Sequence, residues 1–219
     1  MIAVKNLTKI YGKDDAAVHA LSECSITFDQ GKFTAIIGTS GSGKSTLLHL
    51  AAGLDTADTG EIFYDSTNIL SLGDVELSRF RLKNIGVVFQ FFNLIPELTA
   101  RENILLPLML DKTPVDTSYF EMLTDKLEIS NRLSHYPSQL SGGQQQRTAI
   151  ARALIHKPSI LLCDEPTGNL DSKSGAEVLK LLSSLQKSLG LTIVMVTHDE
   201  KIAAQADKIV RIEDGKICG

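Results

Sequence analysis

GTSGSGKS, at residues 38–45, fits the pattern G-x-x-x-x-G-K-[ST] and indicates a phosphate-binding α/β fold. The apolar run FTAII precedes it and the helix-like run TLLHLAAGL follows, which is the context that the pattern requires. Glycines in such a loop let several backbone N–H groups face one phosphate, and the N-terminal dipole of the following helix favours the same anion. The alternative is a flexible Gly/Ser turn, which the flanking strand and helix disfavour.

The roles within this loop follow from the chemistry of nucleoside triphosphates. We expect Lys44 to reach the β- and γ-phosphates and Ser45 to bind Mg²⁺. The loop and the residue after it supply the expected nucleotide contacts Gly38, Thr39, Ser40, Gly41, Ser42, Gly43, Lys44, Ser45 and Thr46.

The composition excludes several classes of protein. The chain has 219 residues, 43% of them hydrophobic, which is enough for one large α/β domain or a core with a smaller subdomain. A formal net charge of −4 argues against broad nucleic-acid binding. The three cysteines are widely and irregularly spaced, so we expect a reducing cytosol and no disulfide or zinc framework. No signal peptide and no membrane helix of ~20 residues is predicted, so any work at a membrane requires a partner.

Short apolar runs alternate with helix-period segments along most of the chain. This alternation predicts a largely parallel sheet, whose strands we place at Phe33–Gly38, Ile85–Phe89, Ile160–Asp164, Leu191–Thr197 and Lys208–Ile212. Strand-like pieces at Ile2–Asn6 and Val18–Phe28, with a turn at Tyr11–Gly12, predict an N-terminal antiparallel β region. We expect one domain over residues 1–219, with an inserted helical subdomain at about 91–155 because that segment has helical patterns and no convincing strand.

Two carboxylates follow the apolar run ILLC. Asp164 ends this predicted strand, where it would hold Mg²⁺ directly or through water. Glu165 is then placed to act as general base on the attacking water. The alternative is a solvated acidic pair at a strand end, which is the weaker interpretation beside a phosphate loop.

A second glycine motif, LSGGQ at residues 140–144, precedes the run QQRTAIARALI. Ser141 and Gln144 satisfy the S-x-x-Q capping box, so the segment predicts a capped helix start whose free N–H groups can also contact an anion. LSGGQ resembles the signature motif of the ATP-binding cassette (ABC) ATPases, and the resemblance covers essentially the whole chain. It implies a P-loop fold of ABC type that hydrolyses ATP with Mg²⁺.

The resemblance also implies roles for residues outside the two glycine motifs. Gln90, after IGVVF, matches the glutamine that senses Mg²⁺ and the γ-phosphate, and joins the metal set Ser45, Gln90 and Asp164. His198, after TIVMVT, matches the histidine that contacts the γ-phosphate, and completes the catalytic set Lys44, Glu165 and His198.

Further nucleotide contacts are implied at more exposed positions. Asp171, in the sequence NLD, matches the D-loop, although it could equally be an N-cap for the following helix. Tyr11 matches the aromatic residue that stacks on adenine, although an aromatic residue in a β-turn is common. The signature motif adds Ser141, Gly142, Gly143 and Gln144.

The resemblance implies a head-to-tail homodimer in which Lys44 of one subunit and Ser141 of the other hold the same ATP. It also places the coupling helix of an integral-membrane permease against FFNLIPELTA, residues 91–100, where we expect at least one exposed aromatic side chain. The alternative is that these aromatic residues belong to the core.

Three runs, FFNLIPELTARENILLPL, DEPTGNLD and LSRFRLKNIGVVFQ, look like those of one group of ABC ATPases. The group includes the macrolide exporter (MacB-like), lipoprotein-release and cell-division ATPases and the antimicrobial-peptide resistance transporters. This group serves four-helix permeases with large extracytoplasmic domains, which implies a cytoplasmic protein held at the inner face of the membrane by its permease. A soluble ABC ATPase without transport, such as one for iron–sulfur assembly, is the alternative.

Overall fold

The computed structural model describes residues 1–218, and of Asp15 only the backbone. The strands are β1 (Ile2–Tyr11), β2 (Val18–Phe28), β3 (Phe33–Ile37), β4 (Thr59–Tyr64), β5 (Thr67–Asn68), β6 (Ile85–Val88), β7 (Ile160–Asp164), β8 (Thr192–Val196), β9 (Lys208–Glu213) and β10 (Lys216–Cys218). The helices are α1 (Lys44–Ala51), α2 (Asp74–Asn84), α3 (Ala100–Asp111), α4 (Thr117–Lys126), α5 (Gly142–Leu154), α6 (Ser172–Leu189) and α7 (Glu200–Ala203).

The chain divides into two compact units. One consists of residues 1–81 and the segment from Thr192 onward, and the other consists of residues 82–191. The predicted helical insertion at 91–155 lies within the second unit, which also contains β6, β7 and α6. Among the described residues, none of the helices combines the length and apolar character that crossing a membrane requires.

An antiparallel sheet in the order β2-β1-β4-β5 forms part of the first unit, as the sequence predicts. Strand β2 has the predicted bounds, but β1 continues to Tyr11 instead of ending at Asn6. The pairing of β1 with β2 changes register after Val4 and again after Leu7, and Asn6 has a φ of 47°. Such bulges place extra residues in a strand and break its alternation, which is why the sequence pattern stops early.

A second, mixed sheet of the first unit contains the strands β10-β9-β3-β8 in that order. Strand β3 pairs in parallel with both β8 and β9, and β10 pairs with β9 in antiparallel fashion. The parallel strands begin and end within one residue of their predicted positions. In such a sheet, loops that bind ligands follow the carboxyl ends of the strands.

The second unit contains the parallel pair β6 and β7, in which Val88 lies opposite Cys163. Helix α5 packs on β6, on α3 and on α6. The region from 91 to 155 contains α3, α4 and α5 and, among its described residues, no strand, as the helical patterns predict. Gln90 lies just after the carboxyl end of β6, and Asp164 is the last residue of β7.

Candidate functional site

The loop at 38–45 follows β3 and ends in the first turn of α1, as expected for a phosphate-binding loop. Gly43 is the N-cap of α1, with a φ of 101°, and a Cβ there would lie 2.2 Å from the carbonyl oxygen of Ala20. Gly41 has a φ of 77°, but a Cβ there would meet nothing within 4 Å. Thr39, Ser40 and Gly41 are exposed, so the crest of the loop is open to a ligand while its base is packed.

Lys44 lies at the first position of α1 and is only 7% exposed. Its ammonium donates to the backbone carbonyl oxygen of Thr39 at 2.7 Å, so it lies across the inside of the loop. The neighbouring Ser42 is also buried, and its Oγ has no hydrogen-bond partner among the described residues. The charge of Lys44 and the dipole of α1 therefore converge on the loop, and this combination suits a phosphate.

Tyr11 lies at the end of β1 and is 42% exposed. Its hydroxyl donates to Asp55 at 2.5 Å, and the ammonium of Lys9 lies 4.8 Å from the ring centroid. Partial burial and the bond to Asp55 raise the pKa of Tyr11, and Thr46 on α1 also hydrogen-bonds to its oxygen. The structure thus brings Tyr11 and Thr46, two of the predicted nucleotide contacts, together at one end of α1.

His198 is exposed and follows β8. The residue before it is buried and anchored, because the Thr197 N–H donates to the Ile36 carbonyl oxygen at 3.1 Å and its hydroxyl accepts from the Asp199 N–H at 3.1 Å. Since β3 and β8 are parallel neighbours, His198 and the loop at 38–45 follow the same edge of their sheet.

Glu165 follows β7 and has a φ of 44°, in the left-handed region that non-glycine residues seldom adopt. Asp164, the last residue of β7, is half-buried. A turn closes directly after the acidic pair, since the Gly168 N–H donates to the Glu165 carbonyl oxygen at 3.0 Å. The acidic pair is therefore followed at once by a tight turn, which helps to fix the backbone conformation of Glu165.

Gln90 and the segment after β7 hold each other through reciprocal bonds. The Asn169 amide donates to the Gln90 carbonyl oxygen at 3.0 Å, and the Gln90 amide lies 3.5 Å from the Asn169 Oδ1. A Cβ on Gly168 would lie 2.8 Å from the Gln90 Nε2. A glycine at 168 therefore leaves the room that the Gln90 side chain occupies.

Helix α5 begins at the signature motif with both halves of the predicted capping box. The Gln144 N–H donates to the Ser141 hydroxyl at 3.3 Å, and the Ser141 N–H donates to the Gln144 Oε1 at 3.0 Å. A Cβ on Gly142 would lie 3.2 Å from Leu170, so the motif packs beside the segment that leads into α6. The helix start is therefore both capped and in contact with the predicted D-loop.

Asp171 is the N-cap of α6, accepting from the backbone N–H groups of Lys173 and Ser174 at 3.0 Å each. Bonds from the side chain and backbone of Ser174 hold the pKa of Asp171 below its usual value, so it is ionised at neutral pH. The capping interpretation is confirmed, and the role in nucleotide binding stays a prediction.

A groove of about 400 Å³ adjoins the segment after Gln90 and is lined partly by Phe91, Phe92, Leu94 and Pro137. Phe91 is 70% exposed, which confirms that an aromatic side chain of this segment faces solvent. Phe92 is only half-buried and lies near Gly142, where a Cβ would be 3.7 Å from its ring. Phe91 therefore fits the interpretation as an exposed contact residue, whereas Phe92 is closer to the interpretation as a packed residue.

The predicted metal ligands have the oxygen donors that suit Mg²⁺. The predicted ligands are the hydroxyl of Ser45, the carboxylate of Asp164 and the amide of Gln90, and oxygen donors of these kinds are those that Mg²⁺ prefers. No cluster of three or more His, Cys, Asp or Glu side chains that would mark a softer metal exists in the described part of the chain.

Sequence reasoning missed three side chains that support these residues. Asp55 holds Tyr11, and Gln146 and Arg152 on α5 hold the segments beside Gln90. Gln146 had a detectable signal, because it lies between Gly143 and Ile150 on the buried stripe of α5, where an apolar residue is expected.

Comparison with known proteins decides the family. The sequence profile of the ABC transporter family matches residues 21–168 of the chain. The chain belongs to the ABC transporter family. The cassette is 48% identical to an uncharacterised ABC transporter ATP-binding protein of Methanocaldococcus jannaschii, over 99% of its own length and 97% of the relative's. It is 43% identical to the lipoprotein-releasing system ATP-binding protein LolD of Syntrophotalea carbinolica, over 100% of its own length and 97% of the relative's.

A solved structure extends this likeness to three dimensions. The cassette matches an ATP-binding cassette, determined as a dimer in a post-hydrolysis state with ADP and Pi, with a TM-score of 0.89 and 41% identity. The match covers 99% of this chain and 96% of the other. These findings confirm the predicted family, the α/β cassette fold and the class of activity: the protein is an ABC-type ATPase.

Proposed function

We propose that this cassette is the ATP-hydrolysing subunit that dimerises on ATP and drives a membrane permease. The likeness of the whole chain to a dimeric cassette with ADP and Pi carries the proposal. Exporters, lipoprotein-release systems and antimicrobial-peptide resistance systems are the types of complex that the sequence motifs favour. Single-domain organisation over 1–219, with 91–155 as a helical subdomain, belongs to the same proposal.

Residues of the first unit bind the nucleotide in this mechanism. The N–H groups of the loop at 38–45 bind the phosphates, and Lys44 balances the charge that develops on the γ-phosphate. Tyr11 stacks on the adenine, with its hydroxyl fixed by Asp55 so that the ring keeps one orientation. His198 contacts the γ-phosphate from the end of β8.

Four further residues act on the water and the metal. Glu165 accepts the proton of the attacking water. Ser45 and Asp164 would hold Mg²⁺. Gln90 would contact the ion and transmit its presence to the segment at 91–100. When bound, Mg²⁺ neutralises charge on the β- and γ-phosphate oxygens.

The dimer follows from the position of the second glycine motif. Ser141, Gly142, Gly143 and Gln144 offer a capped helix N-terminus that contacts the γ-phosphate held by the partner subunit, with Asp171 beside it. ATP then binds the dimer more tightly than the monomer, so it stabilises association, and its hydrolysis weakens association.

Replacing Glu165 with Gln tests the mechanism. The Glu165→Gln variant should keep ATP and lose at least 100-fold in turnover, because proton transfer to a positioned base typically contributes about 10²–10⁴-fold. Light scattering with ATP and Mg²⁺ should show a dimer, and with ADP a monomer. A second variant, Lys44→Ala, should lose hydrolysis and remain monomeric with ATP.

Two results would count against the proposal. One is a Glu165→Gln variant that stays monomeric with saturating ATP and Mg²⁺. The other is a Lys44→Ala variant that hydrolyses ATP at the rate of the unchanged protein.

The partner is proposed to be an integral-membrane permease of the four-helix type with a large extracytoplasmic domain. LolD, a lipoprotein-releasing system ATP-binding protein, is 43% identical to the chain, which supports this group over a soluble iron–sulfur assembly ATPase. The protein would then be cytoplasmic, held at the inner face of the membrane by the permease. The groove beside Phe91 is the proposed contact surface.

A further inference from the structure

Gln146 is a fully buried polar side chain on α5 that the mechanism above leaves without a role. Its amide Nε2 donates to the carbonyl oxygen of Pro166 at 2.6 Å and lies 3.4 Å from the carbonyl oxygen of Phe89, to which it also donates. Pro166 directly follows Glu165, and Phe89 directly precedes Gln90. One amide therefore contacts the backbone next to both residues.

Such a bond stabilises the backbone at Glu165. A φ of 44° is a less favourable conformation for a non-glycine residue, and bonds on either side of it lower its cost. Pro166 has no N–H group, so this residue can be anchored through its backbone only by its carbonyl oxygen. The bond from Gln146 is that anchor, and the bond from the Gly168 N–H to the Glu165 carbonyl oxygen closes the other side.

Helix α5 also holds the backbone on both sides of Gln90. Gln146 binds the carbonyl oxygen of Phe89, before Gln90, and Arg152 donates to the carbonyl oxygens of Phe92 and Asn93 at 2.9 and 2.6 Å, after it. Burial lowers the pKa of Arg152, as expected for a guanidinium that is largely withdrawn from water. The segment that carries Gln90 is therefore fixed to α5 at two points.

The chemistry of Gln146 indicates that its N–H groups matter more than its volume. Its Oε1 is buried and has no hydrogen-bond partner among the described residues. A buried unpaired acceptor is unfavourable, and an apolar side chain of the same length would fill the space without it. The amide is therefore explained by the two bonds that it donates.

We infer that Gln146 is a positioning residue for hydrolysis, which acts by fixing the backbone that carries Glu165. This inference rests on the proposed role of Glu165 as general base. Because Ser141 begins the same helix, Gln146 also joins the helix that would contact the partner's ATP to the base that acts on the chain's own ATP. A displacement of α5 would then change the position of Glu165.

The test is a double-mutant cycle on steady-state and single-turnover ATP hydrolysis. Gln146→Met keeps the length of the side chain and removes both donors, and we expect kcat to fall at least tenfold while KM for ATP stays within about twofold, since small displacements of catalytic groups cost up to ~10² in rate. In the Glu165→Gln background the same substitution should change the residual single-turnover rate by less than twofold, because it acts through Glu165.

Thr148→Val is the matched control. Thr148 is equally buried two positions further along α5, but its hydroxyl donates only within the helix, to the Gln144 carbonyl oxygen at 2.8 Å. We expect its kcat to stay within twofold of the unchanged protein. Should Gln146→Met fail to fold in a urea titration, Gln146→Asn takes its place in the cycle, since it keeps the amide but withdraws it by one methylene.

Two outcomes would overturn the inference: a folded Gln146 variant with kcat within twofold of the unchanged protein, or an equal fold-loss in both backgrounds. Both outcomes can be distinguished from failure of the proposed function. If the proposed function is wrong, the Glu165→Gln variant alone has normal turnover.

Discussion

Gly41 and Gly43 both have a positive φ, yet a side chain would meet different surroundings at the two positions. At Gly43 it would overlap the Ala20 carbonyl oxygen, whereas at Gly41 it would enter open space. We expect Gly41→Ala to lower the free energy of unfolding by about 1 kcal/mol, from backbone conformation alone. Gly43→Ala should lower it by about 3 kcal/mol or more, because the clash is with backbone and cannot relax. Urea unfolding measures both, and equal losses would contradict this explanation.

At the scale of single residues, the sequence predicts positions that belong to a local pattern. Lys44, Glu165 and Ser141 are recognisable because their neighbours in the chain form a motif. Asp55 is not, since it supports Tyr11 from 44 residues away, and its acidic side chain alone resembles any surface residue. Although partial burial acts in the opposite direction, bonds from Tyr11 and Lys9 lower the pKa of Asp55 and keep it an acceptor.

Among the elements, α3 depends on one buried amide for its connection to the preceding loop. Asn103 accepts from the Ile95 N–H at 2.8 Å and donates to the carbonyl oxygens of Ile95, Leu98 and Thr99 at 3.1, 2.9 and 3.1 Å. Asn103→Ala removes the bonds of this buried amide to the backbone at 95–99, so we expect a loss of about 2 kcal/mol in the free energy of unfolding.

Thr124 offers the control for that measurement, because it is equally buried on α4 but bonds only to carbonyl oxygens of its own helix, those of Phe120 and Glu121. Thr124→Val should cost less than about 1 kcal/mol. If the two variants unfold at the same urea concentration, the loop at 95–99 does not depend on Asn103.

The elements that the sequence failed to predict are those with little burial. Strand β4 begins with three exposed residues, β5 has two residues, and the exposed ends of β10 flank a half-buried Ile217. Hydrophobic periodicity arises only where one face of a strand is buried. Short or exposed strands therefore have no sequence pattern that would predict them. Strands β3, β7 and β8 are almost wholly buried, and the sequence located each of them within one residue.

At the scale of the whole molecule, the exposed ring of Phe91 should be needed for the complex with the permease. Phe91→Asp places a charge in the groove beside Pro137, and we expect it to abolish co-purification with the permease while the urea midpoint stays within error of the unchanged protein. Met109→Asp alters another exposed apolar residue, 64% exposed on α3, and should leave the complex intact. Loss of the complex in both variants would indicate a general sensitivity to charge instead.

The left-handed conformation of Glu165 has a consequence for how such proteins lose activity. Glycine adopts a φ of 44° freely, whereas glutamate in that region costs about 1 kcal/mol or more. If Glu165 is the general base proposed above, a laboratory selection that rewards only expression or heat resistance would enrich glycine at 165 and yield cassettes that are more stable but inactive. The native glutamate would then be retained only where turnover itself is under selection.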